Sequence, residues 1–330
     1  MQGFRTQFEC RGLSRRTVDV LTAAWRDGTK KQYASSIKLW REYCKNKQLN
    51  CYSPNINDVL EYLSFLFHNK GLSYSALNTA RSALSFYCVI DQGHLTIGAH
   101  PLVSKFMKGV FNMKPPKPRY MEVWDARIVL NYLRKMSPAR TLSLQQLTHK
   151  VVVLIALISA QRAQSLHKIS LDKCTVENSH IACQIDELLK QSRPGRVGCK
   201  LTLPAYRVDR RLCPVVYIKH YIERTKHLRG EEKKLFVSYK KPHSHVTVQT
   251  ISRWIKCTLR DAGIDTNRFK AHSTRAASTS AAKSLKVPIE QILSVAGWAN
   301  ERTFREFYNK PIQKSREFAK AVLDSAQERN

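Results

Sequence analysis

The chain has 330 residues, of which 43% are hydrophobic, and this content is typical of folded domains and too high for a disordered protein. Lys and Arg number 56 against 25 Asp and Glu, which gives a formal net charge of +31. Such an excess favours a polyanionic partner, nucleic acid first and an anionic membrane second, over a merely soluble basic enzyme. The membrane alternative is weak because the sequence shows neither a basic amphipathic terminal helix nor a lipidation motif.

The cysteines number nine, an odd count, and none of them forms a C-x-x-C pair. With no signal peptide in the sequence, this pattern predicts reduced thiols in an intracellular protein. His243 and His245 lack the spacing to nearby cysteines that a zinc site requires. We therefore expect no zinc site.

Residues 1–14 carry little pattern and are expected to form a flexible N-terminus. Residues 15–112 predict an all-helical domain, with helix from Leu13 to about Lys47 and Thr29 as a candidate cap within it. Further helices are predicted after Pro54, after a capping Ser73, and over 102–111. The apolar positions that recur at helical spacing are expected to form the core: Tyr33, Ile37, Trp40, Tyr43, Cys44, Val59, Leu60, Leu63, Leu66, Phe67, Leu77, Ala80, Leu84, Tyr87 and Cys88.

Basic residues of this domain lie on the other helix faces. Lys30, Lys31 and Lys38 are candidates for phosphate contacts, although a solvated charged face explains them equally well. Residues 113–120, MKPPKPRY, hold three prolines and three basic residues and predict an extended interdomain linker. The basic residues of this linker would then lie along a nucleic acid: Lys114, Lys117 and Arg119.

Residues 121–330 predict a second, mixed domain. Its helices are expected near 122–136, 144–160, 213–227, 248–262, 272–284, 288–296, 301–308 and 313–327. Strands are expected near 166–171, 181–185, 199–203 and, more briefly, 235–239. The segment from Lys190 to Arg196 is predicted to be a hairpin loop, since Pro194 and Gly195 favour a turn.

Four residues that suit phosphodiester chemistry stand between 271 and 311. His272 carries protons near neutral pH, and the planar fork of Arg275 binds two phosphate oxygens. Trp298 offers an N–H donor, and the Tyr308 hydroxyl becomes a nucleophile when its phenolate is stabilised. Three of the four also have a plain structural explanation, which is core packing for Trp298 and Tyr308 and a helix cap for His272.

The order His-x-x-Arg, Gly-Trp and Tyr resembles the C-terminal signature of the tyrosine recombinases, the phage-integrase-like family. The resemblance covers most of the chain. It implies a mainly helical fold with a small β-sheet, in which a helical core-binding (SAM-like) domain at 15–112 precedes a mixed α/β catalytic domain at 121–330. The motif sequence GWANERTFREFY is similar to the motifs of recombinases from eukaryotic DIRS-type and Crypton-type mobile elements.

The resemblance extends to two earlier positions. The family's first arginine follows a buried helix, and Arg162 stands in that place after the apolar run 151–160. The family's lysine lies in a β-hairpin turn, where Lys190 fits. Lys200, Arg193 and Arg196 remain rival candidates there, and the two arginines are also candidate DNA contacts.

The resemblance implies that these residues cut and rejoin double-stranded DNA. Arg162 and Arg275 would bind the non-bridging oxygens, and Lys190 would protonate the departing 5′-oxygen. Trp298 would donate to the phosphate. Tyr308 would form a 3′-phosphotyrosyl link that keeps the bond energy, so that no ATP is required. Fixed cations would neutralise the phosphate in place of a metal ion, and the same basic pocket would favour the phenolate of Tyr308.

By the same resemblance His272 assists proton transfer around Tyr308. The protein would act as a homotetramer on two DNA sites, with the tail at 313–330 docked on a neighbouring protomer, although that tail could equally pack on its own domain. A mobile-element enzyme of this kind would work in the nucleus. No small-molecule cofactor is expected.

Three departures from the family pattern leave other functions open. Ser165 stands where an acidic residue is common, and Trp298 stands where histidine is commoner. Tyr308 follows Trp298 by ten residues, one more than expected, so that Phe307 occupies the usual place of the nucleophile. The alternatives are a domesticated relative that binds DNA without cutting it, and an enzyme like the type IB topoisomerases.

Overall fold

The computed structural model describes residues 5, 8, 12–88, 96–117, 119–190, 192–195 and 198–312. By its internal contacts the chain divides into two compact units, Met1–Pro118 and Arg119–Asn330. The helix expected at 313–327, the candidate Arg196 and most of the segment 1–14 lie outside the described residues.

The described part of the first unit is helical. Its α-helices are α1 Arg15–Ala23, α2 Asp27–Lys47, α3 Ile56–His68, α4 Tyr74–Tyr87 and α5 Pro101–Met113. The cap predicted at Ser73 is confirmed, since its hydroxyl accepts a hydrogen bond from the Ala76 amide at 3.4 Å. The cap predicted at Thr29 is wrong, because the run from 13 to 47 is two helices and α2 already begins at Asp27, whose charge suits a helix N-terminus.

The core of the first unit is built mainly from the predicted positions, although Tyr33, Tyr43, Leu60 and Phe67 are only half-buried against it. Ile37, Trp40 and Cys44 of α2 are buried, and so are the corresponding residues of α3 and α4: Val59, Leu63, Leu66, Leu77, Leu84 and Tyr87. The Trp40 ring packs edge-on against Tyr62 at 4.9 Å, and its N–H donates to the Cys51 carbonyl at 2.9 Å. The aromatic stripes of this unit therefore serve packing.

The second unit surrounds one apolar helix with shorter elements. Its α-helices are α6 Ala126–Lys135, α7 Leu144–Ser159, α8 Ala163–His167, α9 Pro214–Thr225, α10 Val248–Asp261, α11 Ser273–Ser284, α12 Ile289–Ala296 and α13 Glu301–Phe307. Along α7 every residue from Leu147 to Leu157 is buried, and α9, α10 and α11 pack against it. The C-terminal end of α7 is therefore held in place by the surrounding helices.

A three-stranded antiparallel sheet flanks these helices, in the order β1 Cys174–Val176, β2 His180–Ile185 and β3 Cys199–Pro204. The strands predicted at 181–185 and 199–203 and the hairpin between them are confirmed. The strand predicted at 166–171 is wrong, because the chain forms α8 and then only an isolated bridge from Ser170 to Lys234. Residues 235–239 form no strand, and β1 was not predicted.

Pairing of β1 with β2 also changes the expectation for the thiols. Cys174 and Cys183 stand directly opposite each other, with Cα atoms 4.1 Å apart, and are joined by a disulfide. The prediction of reduced cysteines is therefore wrong for this pair, which only the strand register brings together. Five other described cysteines are free thiols: Cys44, Cys51, Cys88, Cys213 and Cys257.

Two further features bear on function. No helix in the described ranges is long and apolar enough to span a bilayer. Within the same ranges no three His, Cys, Asp or Glu side chains gather as a metal site would require.

Candidate active site

The end of α7 places Arg162. Ala160 closes the helix in the left-handed conformation, with φ of 49°, and the chain turns back at once. The Gln161 amide donates to the Val295 carbonyl at 2.8 Å, which ties this turn to the end of α12. Arg162 then stands directly before α8, as its N-cap residue, and is half-buried. Its charge lowers the pKa of both His272 and Arg275, so the three side chains share one electrostatic environment.

Arg275 lies at the centre of the site and is fully buried on α11. Its guanidinium donates to the carbonyl of Ala160, at the end of α7, and to that of Ala296, at the end of α12, the latter at 3.0 Å. Burial, and then the neighbouring Arg162, lowers the pKa of Arg275 to about 10, which leaves it charged at neutral pH. The Arg275 side chain thus connects the ends of two helices and places its own positive charge between them.

Trp298 and Tyr308 form an aromatic wall against this cation. The Arg275 guanidinium carbon lies 4.9 Å from the Trp298 ring centre and 5.5 Å from that of Tyr308. The two rings are 4.5 Å apart. Within the described residues, Trp298 Nε1 and Arg275 Nε are buried N–H donors without an acceptor. Since buried donors are rarely left unpaired, these two are available to an anionic ligand.

The Tyr308 hydroxyl is paired with an imidazole. It lies 2.8 Å from His272 Nε2, and the Tyr308 backbone is fixed as well, because its carbonyl accepts from Ser280 Oγ at 2.8 Å. The Lys310 amide donates in turn to Ser280 Oγ at 3.1 Å. Phe307, which occupies the expected sequence position of the nucleophile, is 65% exposed, whereas Tyr308 packs against Trp298. The extra residue in the spacing therefore brings Tyr308 into the pocket.

His272 is neutral in this setting. As a whole residue it is exposed, yet its ring is held against the pocket wall. Desolvation of the imidazole, followed by the charges of Arg275, Arg162, Lys190 and Arg119, lowers its pKa to about 4. A neutral ring can exchange a proton with the hydroxyl that it contacts.

Lys190 reaches the site from the loop between β2 and β3, residues 186–198, which we call the Lys190 loop. Lys190 is exposed, and its charge is among those that act on His272. Of the rival candidates, Arg193 is exposed on the same loop and Lys200 lies on β3 opposite Gln184. The pocket therefore draws on α7, α11, α12, α13 and the Lys190 loop.

The candidate DNA contacts are dispersed. Lys31 and Lys38 are exposed and Lys30 is half-buried, with Lys38 3.9 Å from Glu42. Lys117 is exposed, and Lys114 donates to the Gly71 carbonyl at 3.3 Å. Arg119 is exposed as well, 5.9 Å from the Tyr120 ring, and through its effect on His272 it is the one of these six that the structure connects with the pocket.

The groups that hold the site together could not be predicted from the sequence. Ser280 and Gln161 bond to backbone atoms 28 and 134 residues away, and no local pattern marks such contacts. Ser165, which stands in place of the family's acidic residue, is buried, and its amide donates to the Arg162 carbonyl at 2.8 Å. Backbone geometry therefore contributes to the placement of Arg162.

The fold is that of the tyrosine recombinases. The XerH site-specific recombinase bound to a palindromic difH substrate has 14% identity and a TM-score of 0.60, over 99% of this chain and 94% of its own. The Tn1549 transposon integrase in complex with transposon right end DNA has 14% identity and a TM-score of 0.57, over 99% and 98%. A lambda integrase dimer bound to a COC′ core site has 13% identity and a TM-score of 0.54, over 94% and 94%.

The sequence itself carries the family assignment. The profile of the phage integrase family matches residues 130–314, which is more than half of the chain, and the protein therefore belongs to this family. No curated protein matches the chain by sequence. At 13–14% identity the structural likenesses establish the fold and leave the activity to be argued from the pocket.

Proposed function

We propose that the protein is a site-specific DNA recombinase or integrase that cuts and rejoins DNA through Tyr308. The observation that carries this proposal is the 2.8 Å contact between the Tyr308 hydroxyl and His272, directly beside the buried charge of Arg275. A phenol held against a neutral imidazole and a cation is suited to nucleophilic attack, whereas a core tyrosine would need neither neighbour.

The reaction begins with the phenol. The Tyr308 oxygen attacks the scissile phosphorus while its proton passes to His272, which can accept it because it is neutral. The bond from phosphorus to the 5′-oxygen breaks, and that oxygen takes a proton from Lys190. The product is a 3′-phosphotyrosyl link and a free 5′-hydroxyl. Attack by a second 5′-hydroxyl reverses these steps and joins new strands without ATP.

The phosphate is stabilised by groups that are already in place. Arg162 and Arg275 neutralise its non-bridging oxygens, and the unpaired N–H groups of Arg275 and Trp298 supply hydrogen bonds. Because Arg275 is held by two backbone carbonyls, its charge does not have to reorganise during the reaction. Fixed donors of this kind stabilise a transition state more than mobile ones.

A covalent adduct tests the proposal. Duplexes bound by the Tyr308→Phe variant are selected from a random library, and the recovered site is rebuilt with a nick beside the scissile phosphate, so that the cleaved end diffuses away. We expect the wild type to form a denaturant-resistant adduct on this duplex and Tyr308→Phe to form none. Tyr206→Phe, which removes an exposed phenol elsewhere in the same unit, is the control. An adduct that persists in Tyr308→Phe contradicts the assignment of the nucleophile.

The same assay separates the alternatives. Salt-dependent binding without an adduct on any duplex identifies a relative that binds DNA and does not cut it. Relaxation of supercoiled DNA without site preference identifies an enzyme like the type IB topoisomerases. An adduct at one preferred sequence, followed by strand exchange between two copies, is the outcome that the present proposal requires.

Three finer proposals rest on the sequence. The motif at 297–308 supports an origin in a DIRS-type or Crypton-type mobile element, and with it action in the nucleus. The amphipathic pattern of 313–330 supports docking between protomers of a tetramer. Removal of residues 313–330 should then leave single-site binding intact and abolish the tetramer on paired sites, which light scattering of the DNA complexes measures.

A further inference from the structure

Glu187 lies three residues before Lys190, and its carboxylate bridges two lysines. Lys168 Nζ donates to Glu187 Oε2 at 2.8 Å, and Lys234 Nζ donates to Oε1 at 2.5 Å. Lys168 also donates to the carbonyl of Leu188 at 3.0 Å. Two ammonium groups thus hold consecutive residues of the Lys190 loop.

The two lysines lie on backbone segments that are hydrogen-bonded to each other. Lys168 directly follows α8, the helix of five residues that begins after Arg162. Lys234 is tied to the same segment, because its backbone forms a bridge with Ser170 and the next amide donates to the Ile169 carbonyl at 2.9 Å. Glu187 therefore joins the Lys190 loop to the segment that follows α8, the short helix that Arg162 caps.

The bridge formed by Lys168, Glu187 and Lys234 differs from a single exposed ion pair, which usually contributes little. The side chain of Glu187 is 49% exposed, but those of Lys168 and Lys234 are only 16% and 27% exposed, and both bond to the one carboxylate. Hydrogen bonds from Lys168 and then Lys234 lower the pKa of Glu187 to about 2. Without the Glu187 charge, two ammonium groups face each other with no anion between them and repel.

The backbone next to Lys190 is held on both sides. Leu189 is buried, and its amide and carbonyl bond to Ser192 Oγ at 2.9 Å and to the Ser192 amide at 3.0 Å. The residue before it, Leu188, is bonded through its carbonyl to Lys168. We therefore expect a change at Glu187 to alter the position of Lys190, which is three residues away.

We propose that Glu187 is the positioning residue of Lys190, and that it holds the Lys190 ammonium at the 5′-oxygen of the scissile phosphate through its bonds to Lys168 and Lys234. The inference rests on the proposed function and adds to it a group that does not touch DNA. It also supplies an acidic partner for the segment after Arg162, where Ser165 replaces the family's carboxylate.

The test compares two leaving groups on the selected duplex. In one substrate the scissile phosphate has its natural 5′-oxygen, and in the other sulfur replaces that oxygen. A thiolate leaves without protonation because a thiol is far more acidic than an alcohol. A defect in proton donation therefore appears on the oxygen substrate alone, whereas a general loss of structure slows both.

We expect Glu187→Gln to slow adduct formation by about 10- to 100-fold on the oxygen substrate and by less than about 2-fold on the sulfur substrate. In the background of Lys190→Ala, the added Glu187→Gln should have no further effect on the oxygen substrate, because the two residues act as one unit. Glu177→Gln, on the turn at the far end of the same sheet, is the matched control and should behave as wild type.

Two results overturn the inference while the proposed function stands. One is an equal slowing of Glu187→Gln on both substrates, and the other is a rate within about 2-fold of wild type on the oxygen substrate. Failure of the wild type to form an adduct on either substrate overturns the proposed function and this inference together.

Discussion

The two sides of the pocket are built by different means. Arg275 is fully buried, and backbone carbonyls at the ends of two helices hold its guanidinium. Lys190 is exposed on a loop, and the ammonium groups of Lys168 and Lys234 hold this loop through Glu187. Both are cations of the same candidate site, yet the first is part of the folded core and the second is added to its edge.

This difference separates stability from activity. A group that bonds to the backbone inside the core cannot be changed without loss of packing and of hydrogen bonds. A group on an exposed loop can be changed at little cost to folding. Substitutions on the Arg275 side should therefore lower both stability and adduct formation, whereas those at Lys190 should lower only the second.

Arg275→Gln should have the largest effect. It leaves the carbonyls of Ala160 and Ala296 without a charged donor, and we expect the free energy of unfolding to fall by about 2–4 kcal/mol. Adduct formation should fall by at least about 10³-fold, since the charge that faces the phosphate is lost. Urea denaturation and the nicked-duplex assay measure the two effects. Arg253→Gln, an exposed arginine on α10, is the control.

Wild-type stability of Arg275→Gln, with loss of activity alone, would contradict this contrast. In that case the two carbonyl contacts contribute nothing to folding, and the two sides of the pocket do not differ in the way described.

Lys190→Ala should have the next largest effect, and on the rate alone. Loss of the proton donor should slow adduct formation by about 10²- to 10⁴-fold on the natural phosphate. The free energy of unfolding should change by less than about 0.5 kcal/mol, because the side chain is exposed. Lys200→Ala, on β3, tests the rival lysine in the same assay. A larger rate loss in Lys200→Ala would move the proton donor to that position.

Ser280→Ala should give an intermediate result on the buried side. Its hydroxyl donates to the Tyr308 carbonyl and accepts from the Lys310 amide, so its loss should cost about 1 kcal/mol of stability. The freed Tyr308 should form adduct about 10-fold more slowly. Ser284→Ala, an exposed serine at the end of the same helix, is the control. Unchanged adduct formation in Ser280→Ala would show that the pocket places Tyr308 without this bond.

Much of the fold could be predicted from periodicity, because amphipathic helices repeat their apolar residues every three or four positions. The buried faces of α2, α3 and α4 follow from Trp40, Leu63 and Leu84 in this way. Short elements escape such patterns. The segment 166–171 contains Leu166 and Ile169, which suggested a strand, but tertiary contacts place a helical turn there.

The residues of the site likewise fall into those that a sequence pattern predicts and those that only the fold brings together. His272, Arg275, Trp298 and Tyr308 stand within 37 residues of each other, so their residue types and order pointed to a shared pocket. Glu187 and its lysines are ordinary charged residues, and only the fold brings them together. Contacts over long sequence separations are set by packing, and one sequence offers no local signal for them.

The smallest expected effect concerns pH, and it tests whether His272 shares the cationic environment of both sides. Because burial and the nearby cations lower its pKa to about 4, His272 remains neutral from pH 8 down to about pH 5. The rate of adduct formation should therefore change by less than about 3-fold between pH 7.5 and 5.5, whereas an enzyme that relied on a histidine of ordinary pKa would lose about 10-fold in rate.

The same lowered pKa affects stability. Below the ordinary pKa of histidine, the His272 imidazole takes up a proton in the unfolded chain before it does so in the folded protein, so His272 lowers the stability as the pH falls towards 4. His272→Gln should remove that part of the pH dependence of unfolding, and a rate that falls with a midpoint near 6.5 would place the imidazole outside the field of Arg275 and Lys190.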